Sequence, residues 1–423
     1  MDLIIRNAKV KSQESTVDIG IKDGKFVQIT ETIQEKAMKE IDALENLVRP
    51  PFVESHIHLD SALSVGNPRY NQSGTLLEAI DIWGEYKTNF SKEDVKTRAK
   101  QAIQWLIANG VLHIRAHTDS TEPNLRTMKA ILELKEELKQ YVDLQVVAFP
   151  QDGIFAYQGM DSLLEEAIKM GADVVGGLPQ AELTREDGIK SIQYVFDLAE
   201  KYDKLIDIHT DETGDDQSRF TEVIAKFTIE RDMAGLVTAS HTTAMHNYHN
   251  DYAAKLIHTI RRAGVNIVTN PFSNALLQNR LDGYPKKRGT TRVDELLASG
   301  VNVSIGNDNL MDPFGPIGKG SMLQAAHLLL HTAHLSGEKQ IGQLFQMISH
   351  NGAKTLHISD GYGIKEGNKA DCIILDATDE KEAIRLTSEC LYVIRCGKVI
   401  SETKPAKRVV RMDNDSFQID FKK

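Results

Sequence analysis

The sequence predicts an α/β fold, a (β/α)8 barrel joined to a small β-domain. Three observations predict it. Eight short β-type runs are spaced along the middle of the chain, longer amphipathic stretches separate them, and both ends are β-rich in a different style. Alternating β and α units argue for a parallel sheet, and eight repeats argue for its closure into a barrel. An open doubly wound sheet is the alternative. No Gly-rich phosphate fingerprint follows the first run, which weakens it.

At the N-terminal end, "DLIIRNAKV" and "DIGIKDGKFVQI" alternate as strands do, with Asp23-Gly24 at a hairpin turn. At the other end "ADCIILDA" and "LYVIRCGKVI" repeat the style and turn at Cys396-Gly397. Each end has too few strands to bury a face alone, so the two are expected to pair. The final Phe421-Lys422-Lys423 is expected to fray. The barrel strands are expected at 52–58, 111–117, 144–150, 173–179, 205–210, 236–241, 265–271 and 301–308. Helical patterns such as "NLRTMKAILELKEELKQY" and "GIKSIQYVFDLAEKY" lie between them.

Charge and composition exclude some partners. The 423 residues carry 60 acidic and 50 basic side chains, a net charge of −10. Such a surface repels phosphate backbones, so no nucleic acid partner is expected. A small neutral or cationic substrate is easier to accommodate. No apolar run approaches the roughly 18 residues of a membrane span, and the start lacks the basic and apolar regions of a signal peptide. Cys372, Cys390 and Cys396 lack the spacing of a zinc knuckle. A reduced, cytoplasmic protein without a membrane partner is expected.

Catalytic groups of a (β/α)8 barrel project from the C-terminal ends of its strands. Here the first strand ends in His56-Ile57-His58, the third runs into Pro150-Gln151, the fifth ends at His209, the sixth at His241 and the eighth at Asp308. Positions i and i+2 share a strand face, so His56 and His58 can converge on one ion. Fourteen histidines would give roughly 0.5 such pairs by chance, so the pattern of several strand ends carries more weight than this pair. Glu212, three residues after His209, suits proton transfer beside a metal. Asp308 ends an apolar run, where burial is costly unless the carboxylate is paired or binds metal. His113 reads as core, and His117 lies nearer the pocket mouth; neither is assigned a role. His246, His249 and His258 read as surface or helix residues, and Asp312 as a turn residue. Three histidines and one carboxylate make a mononuclear site for zinc or iron(II), which activates water at neutral pH; Asp308 can serve as ligand and also as the catalytic acceptor of the water's proton.

The segments "PPFVESHIHLD", "NQSGTL", "VVAFPQDGI", "LIDIHTDE", "TASHTTAMH", "YPKKRG" and "GNDNLMDPF" resemble the amidohydrolase superfamily, specifically its bacterial cytosine deaminase branch. The resemblance spans nearly the whole chain. It implies a distorted barrel over 50–365 and a β-sandwich built from 1–49 and 366–423. It implies one divalent ion per chain, Fe(II) or Zn(II), held by His56, His58, His209 and Asp308. Glu212 is expected to carry protons to the ring nitrogen and the leaving amine. His241 is expected to polarise the attacking water, and Gln151 to read the amide edge of a pyrimidine through its carboxamide. The reaction implied is hydrolytic deamination, cytosine and water giving uracil and ammonia, as in pyrimidine salvage. Relatives also form homo-oligomers.

The departures bear on the substrate. Relatives acting on cytosine read His-Asp-Asp and then Asp-Pro-Trp after strand eight. This chain reads Asn307-Asp308-Asn309 and then Asp312-Pro313-Phe314. Asn309 and Phe314 are therefore expected to border the substrate ring. Gln180-Ala181 replaces a frequent aromatic, which widens the pocket. 5-Methylcytosine, isocytosine, isoguanine, creatinine or an amino-triazine are alternative substrates. A cyclic amide hydrolase is a further alternative, disfavoured because strand four ends "GGLP" without the lysine that bridges two metals. A scaffold that has lost its metal fits least, since every expected ligand is present.

Overall fold

All eight expected β-type runs form parallel strands. They are β1 (Phe52–Ile57), β2 (Val111–Asp119), β3 (Asp143–Phe149) and β4 (Val174–Gly177), then β5 (Leu205–Thr210), β6 (Val237–His241), β7 (Asn266–Thr269) and β8 (Val303–Ile305). The computed structural model describes residues 1–10 and 15–422. Each strand pairs in parallel with the next. Their residues are almost all buried, as a sheet covered on both faces requires. The helix Arg126–Leu138 shows how the outer layer is made. It turns Met128, Ile131, Leu134 and Leu138 onto one buried stripe. The helix Arg185–Tyr202 begins where the Thr184 hydroxyl accepts from the Asp187 N–H.

The sheet closes, which excludes the open doubly wound alternative. Closure between β8 and β1 is confined to their C-terminal ends. There the His58 N–H donates to the Asp308 carbonyl at 2.8 Å, and the Asp308 N–H donates to the His56 carbonyl at 2.7 Å. The buried Glu54 carboxyl staples the same seam, accepting from the Asn307 N–H (2.9 Å), its amide Nδ2 (2.6 Å) and the His56 N–H (3.2 Å). Lower in the barrel, the fully buried Arg115 guanidinium donates to Gln145, Asp207, Thr238 and the Thr355 carbonyl.

The two ends of the chain build a pair of antiparallel-rich sheets. One contains Leu3–Ala8, Val17–Lys22, Lys25–Thr30 and Lys39–Asp42; the other joins Leu47–Arg49 to Cys372–Leu375, Cys390–Arg395 and Lys398–Glu402. Ile5, Ile19, Phe26, Val48, Cys372, Ile374 and Ile394 pack between them. Both expected hairpin turns form. Asp23 and Gly24 (φ 50° and 72°) and Cys396 and Gly397 (φ 46° and 74°) take the left-handed pairs that match strand twist.

A further hairpin, Arg408–Met412 with Asp415–Ile419, was not expected and is exposed along most of its length. Of the last three residues, expected to fray, Lys422 donates to Asn46 at 2.8 Å and Arg385 bonds the Phe421 carbonyl. Lys423 lies outside the described residues. Among the described residues, no helix is long and apolar enough to cross a membrane.

Gly306 sits where β8 approaches β1. A Cβ there would meet the His56 carbonyl oxygen and the Asn270 Oδ1 at 2.6 Å. Both belong to short, held groups that cannot swing away. Gly306→Ala is expected to cost about 1–3 kcal/mol of stability, read as a lowered midpoint in chemical denaturation. An unchanged midpoint would show that β1 and β8 do not approach so closely.

Candidate active site

Strand parity brings the polar residues together. Glu54 and His56 on β1 alternate with His58 just beyond its end, as do Asp207 and His209 on β5 and Thr238 and Ser240 on β6, all toward the barrel interior. His241 has the opposite parity and would point outward on a regular strand. Its backbone instead turns left-handed (φ 72°), as does that of Asp308 (φ 66°). Such backbone is strained for non-glycine residues, by about 1–3 kcal/mol each. It returns the His241 ring to within 4.8 Å of the His209 ring.

Four donor atoms meet at the top of the barrel. His209 Nε2 lies 3.1 Å from both His56 Nε2 and His58 Nε2, and Asp308 Oδ1 lies 3.4 Å from His56 Nε2 and 3.3 Å from His58 Nε2. One shared proton cannot satisfy three nitrogens and an oxygen at these distances. A tetrahedral ion with donors roughly 2.1 Å away has edges of about 3.4 Å, so the set fits a divalent metal ion. His241 offers a further nitrogen within 4.8 Å of the donor atoms of His56, His209 and Asp308.

The electrostatics agree with a cation at the centre. Burial, and next the charge of His117, push the His56 imidazole down to about 4, which leaves it neutral near pH 7. Burial holds His209 well below its usual value and His241 at about 3. Burial works to raise the Asp308 carboxyl, but His241, His56 and His58 outweigh it and keep Asp308 ionised. Glu212 goes the other way. Burial, and next the Asp308 charge, raise its carboxyl well above the usual range.

A cavity of ≈ 640 Å³ opens onto this cluster. His58, His209, Glu212, Asp308, Gln151, Asn309 and Phe314 all line it, as do Gln180 and Ala181. His56 and His241 sit behind the wall and are buried. Trp83 lines the cavity and donates its indole N–H to Asp119 at 2.9 Å. Asp119 in turn bonds through its N–H to Asp60, at 2.8 Å. Lys87 ties Asp119 to Asp152, next to Gln151. Asn309 is held at both ends. Its Oδ1 accepts from Ser273 (2.8 Å) and its Nδ2 donates to Asp312 (3.0 Å). Asp312 forms the expected turn, accepting from the Phe314 and Gly315 N–H groups.

Several residues around the site escaped the sequence reading. His117 does not reach the mouth. It is fully buried beneath the cluster and stacks on His56 at 3.8 Å. His113 is buried as expected and pairs with Asp143 at 3.0 Å. The helix Pro271–Leu277 after β7 supplies a set of supports: Asn274 to His241 Nδ1 (2.9 Å), Ser273 to Asn309, and just beyond it Gln278 to Glu212 (3.3 Å). Asn270 reaches His241 Nε2 at 3.2 Å. The signal was present in "NPFSNALLQ", where polar residues recur at 270, 274 and 278, one helical face.

The comparisons with known proteins point the same way. A family model described as "Amidohydrolase family" matches residues 39–402. N-isopropylammelide isopropyl amidohydrolase of Pseudomonas sp. (strain ADP) is 32% identical over 94% of this chain and 97% of its own length. Pterin deaminase of Rhizobium rhizogenes is 28% identical over 92% of this chain and 89% of its own length. The crystal structure of 5-methylcytosine deaminase from Klebsiella pneumoniae, liganded with 5-fluorocytosine, superposes with a TM-score of 0.93. It is 41% identical, covering 95% of this chain and 98% of that one. With a barrel, a histidine–aspartate cluster and relatives that hydrolyse C–N bonds, the chain belongs to the amidohydrolase family.

Proposed function

We propose that this enzyme is a metal-dependent hydrolytic deaminase of a cytosine-type base, with 5-methylcytosine and cytosine as its first substrates to test. One observation carries the reading: His58, His209 and Asp308 of the four-donor cluster, the largely covered Glu212 carboxyl and the Gln151 carboxamide all open into a single cavity, with His56 directly behind its wall. The 41% identical 5-methylcytosine deaminase supports the choice of base. His56, His58, His209 and Asp308 would hold one ion, zinc or iron(II), both of which suit this donor set. A divalent ion held there supplies the Lewis acidity that makes water nucleophilic at neutral pH.

The chain's own residues do the rest. Gln151 offers a donor and an acceptor side by side, matching the adjacent C=O and N–H of a pyrimidine amide edge. Trp83, Phe149 and Phe314 wall the ring in. Glu212, holding its proton, gives it to the ring nitrogen while Asp308 takes one from the attacking water; the Glu212 carboxylate then carries the proton of the hydroxyl on C4 to the departing amine, and the proton on Asp308 returns to Glu212. The C4–N bond breaks as the C4–O bond is completed, and the products are a uracil-type ring and ammonia. His241, braced by Asn270 and Asn274, orients the water. Its low proton affinity suits a neutral hydrogen-bonding partner.

A second reading follows from the cavity, which is larger than a pyrimidine, and from the 32% identical ammelide hydrolase: release of an amine from an amino-triazine. A cyclic amide hydrolase is less well supported, since β4 ends in Gly176-Gly177 rather than a lysine. The exposed hairpin at 408–419 carries Val409, Val410, Met412 and Phe417 in the open. Isolated hairpins are marginal in water, which supports a homo-oligomer that covers it. The three free cysteines fit a cytoplasmic setting.

Ammonia release over a panel of amino-pyrimidines, purines, creatinine and amino-triazines tests the substrate. 5-Methylcytosine or cytosine is expected to give the highest kcat/KM; a triazine in first place would favour the second reading, and silence across the panel would end the deaminase reading. Glu212→Gln is expected to lower kcat by about 10²–10⁴-fold with metal content unchanged. Retention of wild-type kcat would remove Glu212 from proton transfer. Gln151→Leu, losing two hydrogen bonds to the base, is expected to cost about 10²-fold in kcat/KM. A kcat/KM equal to wild type would show that the base is read elsewhere.

A further inference from the structure

We propose that Ser240 and Asp207 lock the His56 ring in the one tautomer that leaves Nε2 free for a metal, which makes both of them positioning residues of the metal site. The inference rests on the reading of His56 as a ligand given above.

Counting hydrogens decides the tautomer. Asp207 lies on β5, two residues before His209, and is fully buried. Its Oδ2 accepts from Arg115 Nη1 at 2.9 Å, and that guanidinium is fully buried too. An ion pair of this kind keeps the carboxylate charged, so it has no proton to offer. Its Oδ1 therefore accepts the hydroxyl proton of Ser240, at 2.6 Å. A serine hydroxyl has only one proton. With that proton committed, the oxygen facing His56 Nδ1 at 3.1 Å offers a lone pair. The contact is a hydrogen bond only when Nδ1 carries the ring proton. Nε2 is then bare, 3.1 Å from His209 Nε2 and 3.4 Å from Asp308 Oδ1.

The lock has further support around it. His117 stacks on the His56 ring at 3.8 Å and limits its tilt. Arg115 is itself fixed by Gln145, Thr238 and the Thr355 carbonyl. A chain of contacts thus runs from the barrel floor to one ligand atom. His209 has no such device. Its Nδ1 has no hydrogen-bond partner among the described residues, and Phe149 stacks on its ring at 4.1 Å.

Zinc affinity of the metal-stripped protein, read by competition with a chromophoric chelator, tests the lock without any substrate. Ser240→Ala is expected to weaken zinc binding by about 10–100-fold and to speed release in proportion. Ser240→Thr keeps the hydroxyl and is expected to stay within about 3-fold of wild type. Melting curves accompany each variant; should Ser240→Ala fail to fold, Ser240→Cys replaces it, with weakening of about 10-fold expected. Wild-type affinity in Ser240→Ala or its replacement, or equal losses in the alanine and threonine variants, overturns the lock. His56→Ala separates the two claims. A weakened His56→Ala beside an unchanged Ser240→Ala sinks the lock and leaves the ligand assignment standing. Wild-type affinity in His56→Ala removes both.

Discussion

Two backbone hydrogen bonds across the β8–β1 seam, from the His58 N–H to the Asp308 carbonyl and from the Asp308 N–H to the His56 carbonyl, set the geometry on which the site depends. β8 is only three residues long, and its pairing with β1 is confined to this point. The residues that close the barrel are therefore the ones whose side chains meet at its top. Glu54 reinforces the seam from inside, and Gly306 allows the approach because it has no Cβ. The distance between His56, His58 and Asp308 is a consequence of barrel closure, not of a flexible loop. A donor set built this way is held before any ion arrives, which is the condition for a metal site of defined geometry.

The same arrangement is costly without a cation. His56, His58, His209, His241, Asp308, Asp207 and Arg115 are all buried within one barrel. Burying ionisable groups costs several kcal/mol each unless they are paired or bind a metal. Arg115 settles the account for Asp207, and Glu212 and Glu54 respond by holding their protons more tightly: burial lifts Glu54 to about 8. Asp308 stays ionised and burial keeps the His56 and His209 imidazoles neutral, so these three present one negative charge and two lone pairs to the centre; burial works to lower His58 as well, but the neighbouring Asp308 outweighs it and raises that ring's proton affinity. That environment also sets the two carboxyl groups apart: the one nearest the imidazoles stays ionised, while the one beside it holds its proton.

Much of this was legible in the chain. Eight apolar runs, five of them finished by polar residues at their C-terminal ends, give both the barrel and the position of its site, because parallel strands must end together. His56, His58, His209 and Asp308 stand in register for that reason. His241 was harder: parity sends it outward, and only the left-handed backbone at its own position returns it. The Asp207–Ser240 relay and the supports on Pro271–Leu277 were missed because their meaning lies in partners distant in sequence. His117 was placed too high, since residues four apart on a strand share a face but not a depth. The exposed hairpin at 408–419 had no counterpart in the pattern of apolar runs, because little of it is buried.

The central claim is that His56, His58, His209 and Asp308 form one metal site and that this site supports catalysis. Titrating zinc into metal-stripped enzyme, while following bound metal and ammonia release together, tests it most directly. The account predicts that both rise in parallel and saturate at one equivalent per chain. Full activity in the stripped enzyme, or saturation of activity only at two equivalents, would contradict it.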